Sequence, residues 1–231
     1  MVSSKPTSAG FTLIEMLIVI AITAILAAIA LPGMERMIAS QRITNRADQM
    51  FAMFQFARAE AIRTNKPVLI CPTVIRKNTA NDNGCVQFSG YKNGLGWQGF
   101  LAFNDLNMDG AYIATIDSPV RVVALNQNTD QIKVLIKFQT CNANAHQVAC
   151  NGDIAGNDML GFMPNGQFGI GSGENANDWT IGQSSVVMEV VDRRYPNVNR
   201  RIIITPSGKP VACYGQSGNK NTNAYCALQL S

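Results

Sequence analysis

Glu15 is the side chain whose position most demands a chemical partner. It stands in the run "GFTLIEMLIVIAITAILAAIALP", Gly10 to Pro32, which carries no other charged group. Inside a bilayer a lone acid costs about 2.5–3.5 kcal/mol at mid-helix and less near the end. A cation brought to it in a low dielectric offsets that cost, because each charge alone is penalised there while the pair attracts strongly. Other residues could do other chemistry. Six cysteines occupy positions 71, 85, 141, 150, 213 and 226, and His146 is the one histidine. Cys141, His146 and Cys150 could ligate zinc, but their spacing fits no structural zinc pattern. Dispersed cysteines in even number behind a membrane segment instead indicate disulfides in an oxidising compartment. Short separations favour the local pairing Cys71–Cys85, Cys141–Cys150 and Cys213–Cys226, one of 15 connectivities, each enclosing a polar or Asn/Gly-rich turn. Asp105 to Gly110, "DLNMDG", matches the first half of a calcium loop, yet its twelfth position would be Ile116 and not the bidentate glutamate. An Asp-Gly hairpin turn accounts for the same residues. With one histidine, no phosphate loop and no dinucleotide fingerprint, the chain is expected to be no enzyme and to use no cofactor or metal.

The 231 residues carry 15% charged side chains and a net charge of +4. Residues 186–231 hold Arg193, Arg194, Arg200, Arg201, Lys209 and Lys220 against Glu189 and Asp192, a surplus equal to that of the whole chain. These six cations are candidate contacts for DNA or for a protein partner, with Tyr195 and Tyr214 as stacking surfaces. Charges that protect an edge strand would look the same. Neighbouring residues on a strand point to opposite faces, so Arg200 and Arg201 cannot both serve one flat surface.

The elements that must position these groups follow from periodicity. Phe11 to Leu31 is long enough as a helix to span the ~30 Å hydrocarbon layer. The helix is expected to continue to about residue 65, with Met50, Phe54, Ala57 and Ala61 on one face and Lys66-Pro67 ending it. Pro32-Gly33 should kink it, since proline removes a backbone donor. Beyond Pro67, short β runs alternate with Gly/Asn/Asp turns: "PVLIC", "VQF", "GWQGFLAF", "VRVVAL", "IKVLIKF", "LGFMPNGQF", "SVVMEVV", "RRIIIT" and "PVAC". The fold class is α+β, a long N-terminal helix laid on a C-terminal antiparallel sheet domain. The expected organisation is a segment 1–10, an apolar helix 11–32, its continuation 33–66 and a β-rich domain 67–231.

Gly10-Phe11-Thr12-Leu13-Ile14-Glu15 and the uncharged run to Pro32 resemble the type III signal of type IV pilins and type II secretion pseudopilins. "FARAEAIRTNKPVLICP", "GWQGFLAFNDLNMDG", "GFMPNGQF" and "RRIIITPSGKP" resemble, more loosely, the GspH/FimT/FimU branch of that family. The resemblance implies removal of the 1–10 leader by a prepilin peptidase/methyltransferase, which cuts after Gly10 and N-methylates Phe11. Glu15 would then meet the Phe11 amine of a neighbouring subunit during assembly.

It also implies a single-pass protein of the bacterial inner membrane with a periplasmic C-terminal domain, incorporated near the tip of a pilus. Its partners would be other minor and major pilins, the inner-membrane assembly platform and the membrane itself. The implied function is a FimU/FimT-like minor pilin that helps initiate pilus assembly and supports twitching, adhesion or DNA uptake. Alternatives are a GspH-like minor pseudopilin of type II secretion and a DNA-binding tip subunit for natural transformation. DNA-binding relatives carry a Gly-Arg-x-Arg type motif where this chain has Gly208-Lys209-Pro210-Val211, with one cation in place of two.

Overall fold

The computed structural model describes residues 11–74, 84–86, 97–126, 132–144, 147–152, 154, 158–213 and 226. Gly10, Tyr214, His146, Lys220 and the expected 1–10 leader lie outside them. One helix, α1 (Leu13–Thr64), is followed by strands β1 (Val68–Thr73), β2 (Gly99–Asn104), β3 (Ser118–Ala124), β4 (Val134–Asn144) and β5 (Gln147–Gly152). Then come β6 (Met159–Phe162), β7 (Phe168–Gly171), β8 (Trp179–Ile181), β9 (Ser184–Asp192), β10 (Asn199–Ile204) and β11 (Pro210–Cys213). The chain divides into two compact units, Met1–Ala39 and Ser40–Ser231.

In the first unit the helix exposes Leu13, Ile14, Leu17, Ile18, Ile22, Ile25 and Leu26. Such a surface needs an apolar environment that the unit does not itself supply. Among the described residues no single helix is long and apolar enough to cross a membrane. The pair Leu13–Ile29 and Met34–Thr64, bent by 44°, meets that test by length and composition. Pro32 lies in the stretch between them, where its missing N–H removes one rung of the helical ladder.

In the second unit Ile43, Ala47, Met50, Phe54, Ala57 and Ala61 recur at alternating spacings of four and three. That spacing makes one continuous helical stripe, and every one of these residues is buried. The stripe shares one core with two antiparallel sheets. The first sheet runs β3-β2-β1-β6-β7-β8 and the second β11-β10-β9-β4-β5. Val68, Ile70, Phe100, Phe162 and Phe168 enter the core from the first sheet, and Ile136, Phe138, Met188, Val190 and Ile202 from the second. Trp97, Phe100 and Phe138 form an aromatic triangle with centroids 5.5–5.8 Å apart that joins the two sheets.

Each sheet buries residues on its other face as well, following the period of two. Leu69, Cys71, Leu101 and Phe103 pack there with Tyr112, Met159 and Trp179 on the first sheet. Cys141, Cys150, Val187, Ile203 and Cys213 pack together on the second. β1 and β2 are therefore buried along their whole length.

Several expectations are corrected. The domain holds two sheets where one was expected. "LGFMPNGQF" is two strands, β6 and β7, because Gly166 takes φ +79° and its N–H donates to the Met163 carbonyl at 2.8 Å, closing a hairpin turn. β5 and β8 were not anticipated. Of "VQF" only Val86 is described, beside an isolated bridge between Thr73 and Cys85.

Turns of the two sheets interlock. The Phe168 N–H donates to the Pro206 carbonyl at 3.1 Å. From α1, Arg58 Nε donates to the Gly166 carbonyl at 3.1 Å and its Nη2 to the Ser207 carbonyl at 3.2 Å. A Cβ on Gly208 would overlap the Gly166 carbonyl oxygen, and Gly208 has φ +79°. Glycine is required there both by conformation and by the close approach.

Candidate functional site

At its N-terminal end α1 begins at Leu13, and Thr12 Oγ1 accepts a hydrogen bond from the Glu15 N–H at 3.3 Å. Thr12 is thus the cap, and Glu15 is the acid three residues on, where a negative charge complements the helix dipole. Glu15 has a local reason to sit in the first turn, in addition to any partner. The Thr-x-x-Glu spacing of a capping box is the signal in the sequence for this cap. Phe11, just before the cap, is 76% exposed.

The basic residues do not form one site. Arg201 pairs in register with both Glu189 on β9 and Cys213 on β11, and its Nε lies 3.4 Å from Glu189 Oε1. It belongs to the outer face of the second sheet. Arg200 faces the other way, in register with Val190, a residue of the shared core. Its Nη1 donates to the Asn199 carbonyl at 2.8 Å. Arg193 and Arg194 are exposed in the β9–β10 turn, with the Arg194 guanidinium 5.6 Å from the Tyr195 ring centroid. Lys209 is exposed in the β10–β11 turn, at the opposite end of β10. Asp192, 1% exposed, anchors the β9–β10 turn. It accepts from Arg42 Nη1 at 3.0 Å and from the N–H groups of Arg194 and Tyr195 at 3.0 Å each.

The structure joins Cys71–Cys85, Cys141–Cys150 and Cys213–Cys226. Cys71–Cys85 lies in the outer cluster of the first sheet; the other two share the outer cluster of the second. Cys141 and Cys150 are direct cross-strand neighbours in the β4–β5 hairpin. Each bond therefore helps cover a sheet face turned away from the helix.

In "DLNMDG" the carboxylates serve the backbone. Asp105 accepts from the N–H groups of Asp109 at 3.2 Å and Gly110 at 3.0 Å. Asp117 accepts from Leu106 at 3.0 Å and Ile113 at 2.7 Å. Burial pushes the Asp105 carboxyl above its ordinary pKa, against the pull of the Gly110 N–H. These bonds build the hairpin loop between β2 and β3. Among the described residues no group of three His, Cys, Asp or Glu could hold a metal ion.

Residues 5–31 match the model of the prokaryotic N-terminal methylation motif. Residues 46–208 match the model of the type II transport protein GspH, which covers more than half of the chain. The chain belongs to the GspH family. No curated protein matches. The crystal structure of the type IV minor pilin FimU from Pseudomonas aeruginosa is similar at a TM-score of 0.41 and 13% identity. The similarity covers 77% of this chain and 94% of that one.

As a GspH-family protein carrying the methylation motif, the chain is a minor pilin or pseudopilin, a structural subunit and not an enzyme. The motif implies processing by a prepilin peptidase, and family membership implies pilin partners. The motif and the apolar helix are consistent with anchoring in the inner membrane and incorporation into a filament. The GspH match starts within the buried stripe of α1 and ends at Gly208, where the turns of the two sheets meet.

Proposed function

We propose that this chain is a minor pilin of the FimU/FimT kind, placed near the tip of a type IV pilus and helping to initiate its assembly. The observation that carries the reading is the methylation motif of residues 5–31 leading, through one helix, into the GspH match from residue 46. In this reading the peptidase cuts after Gly10 and methylates Phe11, residues 11–32 sit in the inner membrane, and the β-rich domain is periplasmic. An incoming subunit offers Glu15 to the Phe11 amine of its neighbour, so each charge sheds part of its burial cost only on assembly. Pro32 lets the helix bend as it leaves the bilayer for the filament. Three disulfides and a two-sheet domain suit a low-copy specialist more than a repeating shaft subunit.

Membership of the family of the type II transport protein GspH favours a second reading, a minor pseudopilin of type II secretion. A DNA-binding tip subunit draws less support, because the basic candidates divide between two faces and two ends of β10. Deleting the gene and scoring piliation, transformation and protein secretion separately tests all three. Loss of piliation with secretion intact supports the pilus reading. Loss of secretion alone replaces it with the second.

A further inference from the structure

The two sheets end in four edge strands, β3 and β8 on the first and β11 and β5 on the second. Edges are usually kept short, because their unpaired N–H and C=O groups invite another chain to add a strand. β3, at seven residues, is the longest of the four; β8 has three, β11 four and β5 six. It is also bare. Val122 is 50% exposed, Arg121 and Ala124 are exposed, and the ring of Phe56 on α1, 5.9 Å beneath the Arg121 guanidinium, is 45% exposed. Among the described residues β2 is the one strand paired with β3.

The ladder fixes which backbone groups face outward. The Leu125 N–H donates to the Gln98 carbonyl at 2.8 Å, so Leu125 turns its backbone groups toward β2. That direction alternates along a strand. Val123 and Arg121, in register with Phe100 and Ala102, therefore bond to β2, while Val122 and Ala124 point their N–H and C=O groups at the open edge. A second β3 laid antiparallel about a twofold axis at Val123 puts Val122 opposite Ala124 and Ala124 opposite Val122. Each pair exchanges both bonds, four in all, and sets a larger side chain beside a smaller one. Val123 meets its own copy in the central, non-bonded pair. Arg121 falls opposite Leu125, and the two copies of Arg121 stand about 14 Å apart along the ladder, beyond the ~8 Å screening length.

We infer that β3 is a self-pairing surface, to which a second copy of this chain adds its own β3 antiparallel, centred on Val123. Self-complementarity favours a second copy over a foreign strand. The outward groups of Val122 and Ala124 match each other under a twofold rotation, the symmetry most homodimers adopt. A longer foreign strand would run past Arg121 into the register shift at Ala102/Phe103 and onto Pro119, which has no N–H to offer. The twofold pairing stops short of both. It also closes an edge that is otherwise open to indiscriminate strand addition. All of these groups lie in the second unit, so the pairing stands whichever machine the chain serves.

The test uses the full-length chain in detergent. Under mild oxidation Val123→Cys should link to its own copy, seen as a dimer on non-reducing gels and located by peptide mapping. Val122→Cys and Ala124→Cys, mixed, should link to each other several-fold more than either links to itself. Sedimentation of the parent chain should show a monomer–dimer equilibrium. Val122→Pro removes one outward N–H from each copy and should weaken that equilibrium about tenfold or more. Val122→Lys and Ala124→Lys, at exposed positions, should weaken it too without altering the circular dichroism spectrum, and Thr180→Lys on β8 should leave it unchanged. A chain that stays monomeric, or a dimer that survives these substitutions and gives no Val123→Cys link, overturns the inference. Oxidation in cells that joins Val123→Cys to a different subunit and never to its own copy assigns the edge to a foreign strand and overturns it too.

Discussion

Replacing Gly208 by alanine should destabilise the β-rich unit far more than the same change at Gly173, although the two share a backbone conformation. Gly208 has φ +79° and Gly173 φ +78°, so a side chain at either adopts the left-handed region at a cost of about 1–2 kcal/mol. At Gly173 nothing lies within 4 Å of the new Cβ, and that conformational cost is the whole effect. At Gly208 the Cβ would overlap the Gly166 carbonyl oxygen, a backbone atom that cannot turn aside. Moving it strains the β6–β7 turn, the Phe168–Pro206 hydrogen bond and both Arg58 bonds. Overpacking of this kind adds about 1–3 kcal/mol, for a total of about 2–5 kcal/mol. Urea unfolding of the full-length chain in detergent, with disulfides intact, would follow the combined fluorescence of Trp97, packed against the core, and Trp179, packed on the outer face of the first sheet. Equal losses at Gly173→Ala and Gly208→Ala would refute the interlocked turns.

Three further outcomes follow from the same contacts. Glu15→Gln and Glu15→Ala should enter membranes at least as well as the parent but fail to join filaments, as scored by fractionation and by sheared-filament blots; equal incorporation would sink the trans pairing. Replacing Cys213 and Cys226 by serine should lower unfolding stability by about 3 kcal/mol through the loop they close over a sequence separation of 13, measured by the same urea titration. Burial holds the folded Asp105 pKa above its ordinary 3.8, so the folded chain binds that proton more readily than the unfolded one. Its contribution to stability is present below the ordinary value and is lost as pH rises through the raised one, and Asp105→Asn should flatten that part of the stability–pH curve.

The helix was legible because its signal is local. Met50, Phe54, Ala57 and Ala61 repeat at helical spacing, and the residues that extend the stripe, Ile43 and Ala47, keep the same period. Most strand cores were legible from β-branched runs, as in "SVVMEVV" and "RRIIIT". Sheet membership was not. β4 pairs with β9 and β1 with β6 across long stretches of chain, and no local pattern records which partner a strand chooses. β1 and β2 are buried on both faces, which erases the alternation that would mark a one-sided sheet. The turn inside "GFMPNGQF" does have a local signal, the turn residues Pro164-Asn165-Gly166, which interrupt the apolar run.

The candidate site divides along the same line. Glu15 stood out as a lone charge, whereas its cap Thr12 required reading the residue three positions back. The basic cluster reads as one group in sequence because its members are close in the chain. The period of two places Arg200 and Arg201 on opposite faces, and six residues of β10 carry Lys209 away from Arg193. Lys133, which joins Arg193 at the same sheet end, sits sixty positions earlier and had no local signal.

If this chain is a processed, low-copy subunit of a pilin filament, mass spectrometry of filaments sheared from cells should detect it. The chain should be present, far below the major subunit in amount, and should begin at an N-methylated Phe11. Its absence from the filaments, or a mature chain beginning at Leu31, would contradict the claim.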